Sequence, residues 1–448
     1  MNRVRSILRH GITVAATFVS GTILCGADVS AREVIAQTPK ELTLEQAIDL
    51  ALDSQPLIAI ARSQLSSSKA RLTETASTYY PQLTPTLEYL YQRSSYRTGG
   101  LTSVSETDRT ETAIGLRQKV FDMGLREASV DAARSGVKAS EASLSNSRQS
   151  VILNVTVAFY EVLRSRELLR VQQTSVERAR TTLDATKAYA EAGTVRRIDT
   201  LQAESDYRNA MVQLGVAQNN VRLAEVGLRN AMGVSTSDRV TAADVTPARP
   251  SSTPDDHPAS EYIRRAMEAR PDLKRDLALL DADRASARRA RISAGPVIEA
   301  DITGGYRFDP DPGDNRSFIA SLSFPLFDGG AAQARVRAAR ESVKQSEQQL
   351  EIARQDIHLA VEEAYLIREE ARLRIAAAQS ASEAAKANYE AASAGYQEGA
   401  QTVLDVITAR TQLVTAETNL VQSVYDYHTA DARLQRAIGA NDRANGRK

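Results

Sequence analysis

The chain has no tryptophan, one cysteine and only 5% aromatic residues among its 448 positions. A single cysteine excludes a disulfide framework and a thiolate zinc site. So few aromatics would make a thin core for a globular protein of this length. Neither sign of charge is in excess, with 56 Lys and Arg against 56 Asp and Glu, so nothing suggests a nucleic-acid partner. Proline is missing from Thr86 to Thr246 and again from Leu326 onward, which predicts long uninterrupted helices in both stretches. No segment beyond the first thirty residues is apolar enough for a membrane-spanning helix. His257, His358 and His428 are scattered, and no phosphate loop or nucleophile elbow is present, so no enzyme activity, cofactor or metal is expected.

What is there begins with an address. Arg3, Arg5 and Arg9 precede an apolar run from Gly11 to Leu24, followed by the small residues Cys25-Gly26-Ala27 and Val29-Ser30-Ala31. Residues 1–31 therefore read as a secretory signal peptide. Cys25 leaves two fates open: removal with the signal, or retention as a lipidated N-terminus. Leu24 and Thr22 stand where a lipobox wants a small residue and a leucine, which favours removal.

The rest of the chain repeats itself. Phe121-Asp122-Met123-Gly124 matches Phe327-Asp328-Gly329-Gly330 at an offset of 206 residues, which also carries Gly193 onto Gly399 and Asp199 onto Asp405. Apolar residues seven apart follow the same offset, with Val130, Val137, Leu144 and Val151 falling on Val336, Val343, Leu350 and Ile357. Upstream the offset is 215, pairing Gln55-Pro56 with Arg270-Pro271 and Tyr80-Pro81 with Gly295-Pro296. A register broken at one place marks a duplicated unit with one loop of variable length.

Each unit is expected to hold a helix (44–78 or 259–293), a β-hairpin (82–120 or 297–326) and a long helical hairpin (122–233 or 328–439). The repeats span 32–234 and 259–440, joined by a proline-rich linker over 235–258 and followed by a disordered tail over 441–448. In the hairpins the period changes to two. Leu83, Leu87, Tyr89 and Tyr91 alternate with Thr84, Glu88 and Gln92, and Phe318, Leu322, Phe324 and Leu326 alternate with Ser317, Ser321 and Ser323. Such segments fit transmembrane strands facing two media, with Tyr306 and Phe308 among the aromatics available for a girdle. Four strands cannot close a barrel, so spanning strands would have to be pooled by several chains. The other reading is an exported periplasmic coiled-coil scaffold or adaptor with soluble hairpins and no pore.

Taken in order and duplicated, Leu44-Glu45-Gln46-Ala47, the Tyr80-Pro81 break, the two FD-G motifs and the paired Gly-x5-Asp segments resemble the TolC-like outer-membrane efflux family. The resemblance covers nearly the whole chain beyond the signal. It implies a mainly α fold with a small membrane β part, assembled as a homotrimer. Twelve strands would form an outer-membrane β-barrel continuous with a periplasmic α-helical barrel. It also implies outer-membrane lipid around the strands, a periplasmic adaptor, and an inner-membrane efflux pump or ABC secretion transporter as the energised partner.

Function would then concentrate at the two helical turns. Gly193 and Gly399 are read as left-handed helix ends. Thr402 and Asp405 read as a capping box, whereas Arg196 replaces the threonine in the first copy, where the cap is expected to be lost. By resemblance, Asp405 stands at the periplasmic entrance, with Asp199 its first-copy equivalent. The family pattern has a second acid where this chain has Thr408, so one carboxylate ring is implied and a double ring is not. Arg196 and Arg197 either salt-bridge the closed tip or contact the adaptor, or are solvated basic residues at a turn. Gly193, Thr194, Val195, Gly399, Ala400 and Gln401 are the adaptor-docking candidates.

Overall fold

The structure is a computed structural model that describes residues 40–99, 101–235, 240–244, 257–309 and 311–440. The signal segment with Cys25, most of the linker and the tail lie outside the described residues. The first repeat runs β1 (Lys40–Leu42), α1 (Leu44–Ser54), α2 (Pro56–Ser77), β2 (Gln82–Thr98), β3 (Leu101–Phe121), α3 (Leu125–Glu191) and α4 (Arg197–Met232). The second runs β4 (Val240–Ala242), α5 (Ala259–Ala269), α6 (Pro271–Ile292), β5 (Val297–Asp309), β6 (Gly313–Ser323), α7 (Ala331–Gln397) and α8 (Val403–Ala437). The helices α3 and α7 have 67 residues each, or about 100 Å at about 1.5 Å per residue.

Two expectations need correction. The helices over 44–78 and 259–293 are each broken in two, at Gln55 and at Arg270. Proline has no N–H, and its ring forces the preceding residue out of the helical region. Gln55 accordingly has ψ 122° and Arg270 ψ 126°. The second hairpin also ends at Ser323 rather than 326, so Phe324 and Leu326 lie beyond the sheet, on either side of Pro325.

The breaks are joints. Gly233, at φ 70°, ends α4 so close to the first break that an added Cβ would lie 2.8 Å from Gln55 Cα. Ser54 Oγ donates to the Met232 carbonyl at 2.7 Å and Gln55 Nε2 to that of Ala231 at 2.8 Å. In the second copy, Gly439 meets Arg270 in the same way, its Cβ position 3.1 Å from Arg270 N. Beside these joints β1 pairs parallel with β4, Leu42 opposite Ala242, tying the repeats together.

Long helices with small seam residues pack as a row. Below the joints the neighbours run α4–α3–α8–α7, and above them α2–α3–α6–α7. The core is correspondingly narrow, with Val151, Val155, Phe159 and Val162 of α3 meeting Ile48, Ile58, Leu228 and Met232. The four long strands form one antiparallel sheet in the order β2–β3–β5–β6. Among the described residues no helix is long and apolar enough to cross a membrane.

Candidate functional site: sheet face and helical tips

Register partners in an antiparallel sheet point to the same side. Leu83, Leu116, Ile302 and Phe318 are partners in sequence across all four strands, so one face carries an unbroken apolar row. Leu83 and Phe318 are 66% and 68% exposed there. The row through Phe121, Ile298 and Leu322 borders that face at the helical end. Leu87, Thr112 and Tyr306 share the row eight residues up β5 from Ile298, and Tyr306 stacks edge-on against Phe308 at 5.1 Å. Tyr89 and Tyr91 stand at the same end of the sheet. The two levels are about 27–34 Å apart along the strands, or about 21–26 Å at a tilt of about 40°, close to the apolar height of a membrane barrel. Phe318 lies between the levels, and Phe324 extends the lower one.

The opposite face is polar. Arg117 Nε donates to Asp301 at 2.8 Å and lies 3.4 Å from Glu299. Nearer the strand tips, Arg109 pairs with Glu88 at 3.5 Å and Glu111 at 3.7 Å, and Asn315 donates to Glu111 at 2.9 Å. Between the two clusters come Thr84, Gly115, Thr303 and Ser317, all small. This sheet has an apolar surface and a water-compatible one, with β2 and β6 as open edges.

The FD-G turns lead from sheet to helix. Asp122 accepts from Gly124 N at 3.2 Å and Arg126 N at 3.3 Å, and Asp328 accepts from Gly330 N and Ala332 N at 3.0 and 2.6 Å. The N-cap position itself belongs to Gly124 and Gly330, at φ 89° and 84°, so each aspartate caps from two residues earlier.

At the far end Gly193 and Gly399, at φ 75° and 76°, reverse the chain. Thr194 N and Ala400 N close the turns on the carbonyls of Tyr189 and Gly395 at 2.9 and 2.8 Å. The caps that follow differ. Thr402 N donates to Asp405 Oδ2 at 2.8 Å, its hydroxyl to the same oxygen at 2.7 Å, and Asp405 N to Thr402 Oγ1 at 3.3 Å. The Thr402 hydroxyl and then its backbone N–H hold the Asp405 carboxyl below its ordinary range. In the first copy half of the box survives, because Asp199 Oδ2 accepts from Arg196 N at 3.1 Å. The guanidinium has no acceptor atom and instead donates to Asp199 at 3.2 Å. Asp199 is thus neutralised by its own cap residue, whereas Asp405 makes no ion pair among the described residues. Arg197 and Thr408 are exposed, and Arg197 makes no ion pair among the described residues.

The two tips adjoin. Tyr189, Val195 and Arg196 line one side of a groove whose other side is Tyr396, Gly399 and Gln401. Ala400 is exposed beside it. Above the groove lies a clasp that sequence reasoning missed. Tyr396 OH is 2.9 Å from Thr186 Oγ1, and Tyr189 meets Tyr396 edge-on at 5.7 Å. Arg410 of α8 donates to Asp206 of α4 at 2.5 Å and to Ser175 of α3. Arg178 reaches both oxygens of Glu417 at 3.2 Å. No local signal announces these pairs, whose members lie more than two hundred residues apart. His358 does have an acidic neighbour one turn on, Glu362 at 3.6 Å, which the sequence reading overlooked.

Repeat, sheet and tips together match a known family. The description of that family is Outer membrane efflux protein, and its sequence profile matches residues 47–234 and 262–440. The chain belongs to that family. It is 27% identical to Protein CyaE of Bordetella pertussis over 307 residues, covering 67% of this chain and 63% of that one. It is 23% identical to Outer membrane protein TolC of Escherichia coli over 341 residues, covering 71% and 65%. The matched part thus spans just under two thirds of those relatives' own length. The Campylobacter jejuni CmeC outer membrane channel superposes with a TM-score of 0.79 at 19% identity, covering 88% of this chain and 85% of that one. The Vibrio cholerae outer membrane protein VceC superposes at 0.77 and 18%, covering 88% and 96%. At such identities the likeness is one of fold: a TolC-like fold, mostly helical with a small β part.

Proposed function

We propose that this protein is the outer-membrane exit duct of a tripartite efflux pump or type I secretion system. Three copies pool their sheets into a twelve-stranded barrel in lipid, continuous with a periplasmic tube of helices. The duct is passive and does no chemistry. A periplasmic adaptor docks at the tips, and an inner-membrane pump or ABC transporter delivers the substrate.

The observation that carries this reading is the pair of unmatched edges. In the helical row, α7 presents Ile352, Leu359, Leu366 and Leu373, seven residues apart and 57–65% exposed. The other edge, α4, presents Leu201, Val212, Val216 and Leu223, 50–62% exposed. Apolar stripes of this length on two different edges support a head-to-tail contact that closes into a ring. The open strands β2 and β6 call for the same closure, because an unpaired strand edge in lipid costs several kcal/mol per backbone group. Names among the relatives, among them a cobalt-zinc-cadmium resistance protein, do not choose between protein and small-molecule cargo for this chain.

The test is the mass of the particle extracted by detergent from the outer-membrane fraction, followed by its conductance in a planar bilayer. A three-chain, conducting particle is expected. A monomer soluble without detergent would leave an exported coiled-coil scaffold instead.

A further inference from the structure

A groove among α3, α6 and α7, just below the sheet, is lined by Arg284, Arg288 and Arg291 of α6, Arg340 and Lys344 of α7, and Lys138 of α3. Some of this charge is spent. Asp131 takes Arg134 at 2.9 Å and Arg288 at 3.0 Å, Glu347 takes Arg284 at 3.2 Å, and Glu341 takes Lys344 at 2.9 Å. Lys138, Arg291 and Arg340 have no ion pair or hydrogen bond among the described residues, and all three are exposed.

The fold does not require all of these cations. The first repeat builds the same place from the same elements, at the offsets of 215 and 206 residues. There Thr73, Glu74 and Ala76 stand where α6 has Arg288, Arg289 and Arg291. Arg284, Arg340 and Lys344, by contrast, keep basic counterparts in Lys69, Arg134 and Lys138. Helix dipoles do not explain the excess either. Arg289 and Arg291 sit in the last turn of α6, where cations are favoured, but Lys138, Arg340 and Lys344 lie well past the first turn of α3 and α7, beyond the reach of either helix end.

Height identifies the counter-charge. Arg291 precedes β5 by six residues, and Arg340 is the tenth residue of α7, about 15 Å along it. Leu326 and Phe327, 89% and 90% exposed, mark the lower margin of the apolar face immediately above. The headgroup zone of a leaflet is about 5–8 Å deep, so the upper end of the groove meets it.

We infer that this groove binds the phosphate of an anionic phospholipid headgroup in the periplasmic leaflet, anchoring the assembly at a set depth. The inference rests on the duct reading for its membrane plane. Each cation near an anionic surface adds about 1 kcal/mol, or about fivefold in affinity, so Arg291 at the headgroup zone together with one of the deeper pair, Arg340 and Lys138, gives more than tenfold.

Native mass spectrometry of the assembly extracted from vesicles of equal phosphatidylglycerol and phosphatidylethanolamine tests it. Wild type is expected to retain phosphatidylglycerol at least tenfold over phosphatidylethanolamine, and K138Q/R291Q/R340Q to lose that preference. A second variant, R288T/R289E/R291A, carries the residues α2 already tolerates at the equivalent positions and is expected to do the same. Wild type without preference, or variants that keep it, would overturn the inference. Unchanged lipid retention with a reversal potential shifted toward cations would mean that the groove faces the lumen and serves solute anions, which overturns it as well. A particle that retains phosphatidylglycerol but does not conduct would sink the duct reading and leave the headgroup site standing.

Discussion

Arg410 of the second repeat donates to Asp206 of the first at 2.5 Å, with both side chains about nine-tenths buried. The pair ties α8 to α4 across the α3–α8 seam, just above the tips, and Ser175 of α3 accepts from the other terminal nitrogen, while the buried Nε has no partner among the described residues. A buried pair is not in itself a large gain in stability, but stranding one partner is costly. Arg410→Ala should therefore destabilise the helical hairpins by about 3–5 kcal/mol. Arg410→Met with Asp206→Leu should recover most of that loss. Thermal unfolding followed by far-ultraviolet circular dichroism checks both, and equal destabilisation by the single and double variants would refute the pairing.

Asp405 should stay ionised to a lower pH than an ordinary aspartate. Its folded pKa is depressed by the Thr402 hydroxyl and N–H. The cap it makes is therefore fully present above the unfolded value of about 3.9 and is lost as pH falls through the depressed folded value. Thr402→Val removes the hydroxyl donor and should move the titration upward. Carbon-13 NMR of labelled aspartate in the wild type and the variant reads the shift directly. In the bilayer, Asp405→Asn should reduce cation selectivity, and Thr408→Asp should increase it by adding a second acid one turn away.

The two sheet faces should answer charge oppositely. Phe318 and Ile319 are adjacent on β6, and Phe318 lies in the apolar row while Ile319 is partnered with Asp301 on the polar face. Phe318→Arg should cost about 2–4 kcal/mol near the middle of a bilayer and reduce heat-stable assembly in outer-membrane fractions. Ile319→Arg should assemble normally. Equal impairment would argue for a soluble hairpin packed on both sides.

Glycines of the same backbone conformation should differ in cost. Gly193 and Gly399 have nothing within 4 Å of an added Cβ, so alanine there pays only for the left-handed backbone, about 1 kcal/mol. Gly233→Ala would also push a methyl to 2.8 Å from Gln55 Cα, and Gly439→Ala to 3.1 Å from Arg270 N. Melting temperatures should fall clearly further for the joint variants than for the tip variants.

Residue types at short spacing carried most of the architecture. Seven-residue apolar periodicity, proline-free stretches and a repeated FD-G turn are local, so the duplicated helical hairpins were legible before any coordinates. Alternation in Leu83–Tyr91 and Phe318–Leu322 was legible too, since a strand turns its faces every residue. The breaks at Gln55 and Arg270 are also written locally, in the prolines that follow, at the same two positions that mark the repeat.

Other features depend on which distant segments meet. Whether Arg196 destroys a cap or becomes a salt bridge to Asp199 depends on the actual side-chain path, not on residue class. Arg410 finds Asp206, and Arg178 finds Glu417, across sequence distances that no period can encode. The groove of Arg291, Arg340 and Lys138 joins three helices from two repeats, so its charge is invisible in any one window. The sequence by itself determined the elements, their duplication and the places where the chain turns, because these are decided by sterics and hydrophobic spacing within a few residues. Only the tertiary structure decided which charges are neutralised and which are left open, because Coulombic pairing acts through space.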